Sequence, residues 1–464
     1  MHQRQRRLGG LLSTVVVAAL AFTACSPGTT TPSGDASAAP PAASEGAAVS
    51  ADPGKTTVNF WQRQFEDYQQ EWFKKQVDAF NASQDAVQVI HTVVPGDAWD
   101  AKLAAAQAAG TQPDVVTTNY GGIRPGTVNG QFAKLDDLMD PAVFADIQEY
   151  VQPFVTVDGA HYGYPMLVEP STVLFYRKDL FEAAGLDPAA PPKSWDELLA
   201  AARTLTKDGV YGMNIGQVAG DLGWSSWGLQ YNAAGHLPIS DDWSASRATD
   251  PEFKQLAEFY TTLFSEQLMP QEATYGYADC SFFGEGSVAM SACGSWAIGQ
   301  LSGNPDWADV FSNTAVAAFP SIDGDPTRTT STLGGWTLTV DAKSKAPQEA
   351  ADFISWLLAG DPAIMTDFFA TAGHSKYSAR VSVADALAAD PEASSNPFLE
   401  IVTRDILPNA KAEPSYPWDI SLAMGTAIEK SMRGGNVDEA LAEADAAIND
   451  VIEKQKLAGT APAP

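Results

Sequence analysis

Twelve tryptophans are the side chains through which this 464-residue chain could do chemistry, and their placement matters more than their number. Trp72, Trp195 and Trp356 fall within or at the start of helical patterns, where core packing accounts for them. Trp61, Trp224, Trp227, Trp296, Trp336 and Trp418 fall at strand ends or among Gly, Ser and Pro, where core packing is a weaker explanation. An indole plane stacks on the apolar face of a pyranose ring while neighbouring amides and carboxylates bond its hydroxyls. Reaction motifs are missing: there is no GxSxG elbow, HExxH helix or CxxC pair, and the five histidines are scattered. Carboxylates are too abundant for a glycosidase pair to be excluded by counting, yet nothing marks two of them out. The chemistry indicated is recognition of a neutral sugar, with Arg63, Arg124 and Arg380 keeping an anionic one open.

Such rings need a scaffold, and the pattern supplies one. Thr56–Trp61 alternates as a strand, Phe73, Val77 and Phe80 share one helix face, and Val87–Ile90 is a second strand. An alanine-rich helix, Ala98–Ala109, and a third strand, Pro113–Thr117, follow. This alternation predicts an α/β sheet that is mostly parallel, whose strand-end loops, residues 62–68 and 118–122, line a crevice. Gln62, Arg63, Asp67, Asn119 and Tyr120 are therefore candidate wall residues. Met166–Tyr176 reads as a strand interrupted near Glu169 and Pro170, with a helix after it stopped by Gly185. Ser194 and Glu197 form a capping box. Trp336, behind Gly334 and Gly335, either floors the crevice or packs a hinge.

The stretch around that interrupted strand resembles bacterial extracellular solute-binding proteins of the carbohydrate type, the maltose-binding-protein relatives (family 1) that serve ABC importers. The likeness rests on Tyr164, Pro165, Val168, Glu169, Tyr176, Lys178, Asp179, Leu180, Trp195, Asp196 and Glu197, with Arg177 replacing the usual Asn. It extends through Phe283, Gly286, Ala289, Met290, Gly294, Ser295 and Trp296, through Gly334-Gly335-Trp336, and into the Asn436–Leu441 tail. It implies an α/β, two-lobe periplasmic-binding-protein-like fold hinged on crossing strands (class II type). One lobe would hold residues 56–168 plus 320–378, and the other 169–319 plus 379–456. Glu169 would bond sugar hydroxyls, Trp296 and Trp418 would stack on rings, and Asp221, Trp224 and Trp227 would form a further cluster. Removing Trp296 or Trp418 should then weaken binding without touching the stability of the empty protein. The function implied is a monomeric, non-catalytic sugar-binding protein, without cofactor or metal, that hands its ligand to importer permease subunits. A binding protein for a polyol, sugar phosphate or peptide, and less so a secreted glycoside hydrolase, remain as alternatives.

Residues 1–24 read as a secretion signal, with Arg4, Arg6 and Arg7 before an apolar run. Phe22-Thr23-Ala24-Cys25 resembles a lipobox, which implies lipidation of Cys25 and anchoring to the outer face of the cell membrane. Residues 25–55 have hardly a large side chain and read as a disordered tether. A formal net charge of −29 argues against nucleic-acid and anionic-lipid partners. Cys280 and Cys293 are expected to pair in an oxidising compartment, the alternative being two small buried thiols.

Overall fold

The computed structural model describes residues 52–96 and 98–461; the expected leader, Cys25 and most of the expected tether lie outside the described residues. Strands β1 (Thr56–Arg63), β2 (Val87–Val94) and β3 (Val115–Asn119) are parallel, with β1 between the other two. Alternation along β1 turns Val58, Phe60 and Gln62 into the helix layer. There Phe60 lies 5.5 Å from Phe73 and 5.6 Å from Phe353, ring to ring. Phe73 belongs to the helix Asp67–Ser83, whose buried stripe is Trp72, Phe73, Val77 and Phe80.

A short hairpin, β4 (Thr156–Val157) with β5 (Ala160–His161), precedes the first crossing. Strand β6 (Tyr164–Pro170) joins the first sheet, and β7 (Val173–Arg177) leaves it to become the middle of a second, antiparallel sheet. The partners of β7 are β8 (Met290–Cys293) and β9 (Thr314–Ala317). The chain returns through β10 (Thr332–Val340), antiparallel between β3 and β6. Strand β11 (Tyr377–Ser378) then pairs with β6, and β12 (Lys411–Ala412) with the start of β10. A seven-stranded sheet thus forms one lobe; a three-stranded sheet and the helices Pro251–Ser265, Trp418–Met432 and Val437–Gln455 form the other.

Pro170 carries no N–H to give to the ladder, and beyond it the crossing is held by one backbone bond, Ser171 N–H to Thr332 O at 2.8 Å, together with hydroxyls. Ser171 Oγ and Thr332 Oγ1 lie 2.7 Å apart, and Thr172 N–H donates to Ser331 Oγ at 2.9 Å. All four residues are buried, so two crossing strands are stitched together by short polar contacts shielded from water. Arg380 donates to Asp146 at 2.7 Å and to the Leu358 and Gly360 carbonyls. It is the second residue after β11 and was expected in the other lobe, but these bonds tie it to Asp146, Leu358 and Gly360 of the seven-stranded lobe.

Two expected loops are helical. Asn119 Oδ1 accepts from Gly122 N–H at 2.8 Å and caps the helix Tyr120–Val128, and the helix Ala219–Ser225 occupies most of residues 217–227. At the expected capping box, Ser194 Oγ does accept from Glu197 N–H, but Glu197 returns its carboxylate to Lys193 N–H at 2.7 Å.

Candidate functional site

A cleft of about 800 Å³ lies between the two sheets and is bordered by residues of both lobes and of the crossing strands. Its second-lobe wall is aromatic. Trp224 stands edge-on to Tyr277, centroids 5.1 Å apart, and 6.0 Å from Trp296. Trp296 Nε1 donates to the Ala278 carbonyl at 3.0 Å, and Trp227 Nε1 to Ser421 Oγ at 2.9 Å. Only a glycine fits at 294, because a Cβ there would overlap the Trp296 ring. Trp418 opens the helix Trp418–Met432 and is 46% exposed, its edge resting on Gly223.

The first-lobe wall comes from Trp99 and Leu103 on the helix Trp99–Ala109, with Phe132 beside them. These belong to a small cluster of their own with Val94 and Val116, separate from the main core. Trp336 floors the cleft: Phe65 meets its ring edge-on at 4.7 Å, and the Arg63 guanidinium lies 5.5 Å from its centroid. Gly335, at φ +152°, brings the backbone against Leu167 O and the Tyr120 ring, where no side chain would fit.

Charges gather on the floor. Lys376 is buried and donates to Glu169 Oε2 at 2.8 Å, with Glu66 at 3.6 Å. Burial works against its ammonium, but the fields of Glu169 and Glu66 outweigh burial and hold the lysine pKa above its usual value. Burial pushes the Arg63 pKa down, opposed in part by Asp100 and Glu66. Glu413 lies over Gly334; burial, and after it the Glu169 charge, pushes its carboxyl up to about 7.

Of the side chains expected at a crevice, Arg63, Asn119, Glu169, Trp224, Trp227, Trp296, Trp336 and Trp418 border this one. Four expected residues do not. Gln62 is turned to the helix layer, where its Oε1 meets His91 Nε2 at 2.8 Å. Asp67 is on the outer surface, bonded to Gln70. Tyr120 is buried and donates to Leu167 O at 2.8 Å. Asp221 is spent on the backbone, accepting from Tyr277 N–H at 2.9 Å. Arg380 is equally committed elsewhere. Lys376 and Glu413 were not expected and reach the cleft through long-range folding; Phe65 lies in the expected loop 62–68 without having been singled out, and Trp99 sits in the loop-to-helix turn after β2, where strand-end logic could have found it.

The expected Cys280–Cys293 disulfide is not formed: both are free, buried thiols. Cys293 Sγ donates to the Tyr277 carbonyl at 3.4 Å, and burial followed by a hydrogen bond to Cys293 raises the Cys280 pKa. The pair is satisfied as thiols behind the aromatic wall.

Set beside solved structures, the chain superimposes on the cyclic alpha-maltosyl-1,6-maltose binding protein from Arthrobacter globiformis with a TM-score of 0.68 and 28% identity. The match covers 86% of this chain and 100% of that one. The mannitol-binding protein of Pseudomonas aeruginosa is 28% identical over 225 residues, 47% of this chain and 50% of its own. The lactose-binding protein of Rhizobium radiobacter is 27% identical over 256 residues, 54% of this chain and 58% of its own. The chain spans about half the length of the curated relatives it matches. Residues 66–361, more than half of the chain, match the family described as bacterial extracellular solute-binding protein. With its two lobes, crossing strands and aromatic cleft, the chain belongs to that family.

Proposed function

We propose that this protein captures a neutral carbohydrate, from one to several rings long, in the cleft between its lobes. It works outside the cytoplasm, held to the membrane face through a lipid on Cys25, and delivers its ligand to an ABC importer without altering it. One observation carries this reading: Trp224, Trp227, Trp296, Trp336 and Trp418 all border one cleft whose floor holds carboxylates and amides. Indole faces bury the apolar side of a pyranose, and the polar floor meets its hydroxyls. The relatives named for lactose, mannitol and a cyclic maltosyl-maltose support the ligand class. We read Glu169, whose Oε2 lies 2.8 Å from Lys376 Nζ, as a carboxylate of that floor that bonds sugar hydroxyls.

Closure of the lobes about the Ser171–Thr332 and Thr172–Ser331 stitches would complete the site. An anionic solute stays a second reading because the Arg63 guanidinium has no carboxylate in ion-pair contact among the described residues. Tryptophan fluorescence titrated with maltooligosaccharides, lactose, mannitol and glycerol 3-phosphate separates the two. Saturable quenching or enhancement by a neutral sugar is expected; response to the phosphate alone would reject the carbohydrate reading.

A further inference from the structure

We propose that Glu413 is the hydroxyl-reading acceptor of the cleft, receiving two hydroxyls of a neutral sugar ring that lies on Trp336, and that capture is linked to loss of a proton. The inference rests on the carbohydrate reading of the cleft and goes beyond it in naming the acceptor and the linkage.

Glu413 follows β12, the last strand to cross onto the first sheet, and this puts its side chain over Gly334, one residue from Gly335 and two from Trp336. A Cβ at 334 would overlap the Glu413 carboxylate, so the glycine makes room for it. The groups facing it come from three elements. Glu169 projects from β6, and the Tyr120 phenol comes from the helix Tyr120–Val128 with its proton given to Leu167 O. The third is the backbone of β10. Lys376 is taken by Glu169 and Glu66. Among the described residues Glu413 has neither a hydrogen-bond nor an ion-pair partner.

A half-buried carboxylate with no protein donor has only water to bond, and ligand hydroxyls can replace that water with charge-assisted hydrogen bonds. Donors to the ionised form lower a carboxyl pKa, and this one starts at about 7. A sugar that binds the ionised form therefore expels a proton near neutral pH. A phosphate or carboxylate on the ligand would instead face Glu413 and Glu169 together, so the same geometry disfavours an anion at this end of the cleft.

The test is calorimetric titration of the protein with maltose, lactose and mannitol in buffers of different ionisation enthalpy. Proton release of up to about half a proton per site at pH 7, with affinity rising several-fold between about pH 6 and pH 8, is expected. Glu413→Gln should abolish both the release and the pH slope and weaken binding roughly tenfold at the upper pH. Binding by the wild-type protein with no proton exchange and no slope overturns this inference alone. So does a Glu413→Gln protein that keeps the slope. Failure of every sugar to bind overturns the carbohydrate reading and this inference with it. The proton release needs no variant, so a misfolded Glu413→Gln protein leaves the test intact.

Discussion

On the second-lobe wall, Trp296 and Trp227 are each fixed by an indole hydrogen bond, and Tyr277 behind them is fixed at both ends. Its N–H goes to Asp221 and its hydroxyl to the Ser171 carbonyl at the crossing. On the first-lobe wall, Trp99, Leu103 and Phe132 stand on or beside a helix that buries only Trp99 and Ala106 and has no side-chain cap at its N-terminus. The same residue types thus form a wall locked before ligand arrives and a wall held by a few apolar contacts. A locked platform loses little entropy on binding, and a lightly held one can adjust to ligands of different length.

The comparison breaks most readily at Trp296. It is only 8% exposed, so Trp296→Ala removes core as well as platform and should destabilise the empty protein by about 3–5 kcal/mol. Denaturant unfolding checks this, and an unchanged midpoint would show that the wall is not locked. The sequence expectation that this ring could be removed without touching stability is corrected by that burial. On the opposite wall Trp99 is as buried, at 7% exposed, but it packs in the small cluster with Val94 and Val116 rather than in the main core, so about 2 kcal/mol is expected for Trp99→Ala. Amides of the helix Trp99–Ala109 should exchange faster than those of Trp418–Met432; equal protection would erase the distinction between the walls.

The floor joining the walls carries the next effect. Folding raises the Glu413 pKa from the ordinary 4.5 to about 7, so the folded chain favours the protonated form. Its contribution to stability is full below the ordinary carboxylate range and is lost as pH rises through about 7. Glu413→Gln should therefore match the wild type near pH 4 and exceed it by about 1–2 kcal/mol near pH 8. Parallel melting curves at both pH values would show that the Glu413 charge is not strained by its surroundings.

The locked wall was partly legible in the sequence, and so were Trp336 and Glu169 of the floor, whereas Lys376 and Glu413 were not. Strand alternation and the crossing stretch placed β1, β3, β6 and β10, and Gly-flanked tryptophans marked the cleft. The same alternation that buries Val58 and Phe60 also buries Gln62, a consequence available from the sequence alone. Glu413 and Lys376 carry no local signal, because each reaches the floor only through pairing of the late strands β12 and β11 with strands far earlier in the chain. Tyr120 and Asp221 sat in the right segments, but a capped helix start and a backbone N–H claimed them.

Trp418 sharpens the comparison at its weakest point, because it is a platform ring without a lock. It is 46% exposed, begins a helix, and its edge rests on Gly223 rather than in a packed core. Trp418→Ala places a good helix former there and should change the stability of the empty protein by less than about 0.5 kcal/mol. An exposed indole nevertheless loses water when a sugar covers it, so ligand affinity should fall by about 1–2 kcal/mol, roughly tenfold. Thermal unfolding and sugar titration on one preparation separate the two quantities. If affinity holds while stability drops, Trp418 belongs to the helix packing, and the sugar is gripped by the locked rings alone.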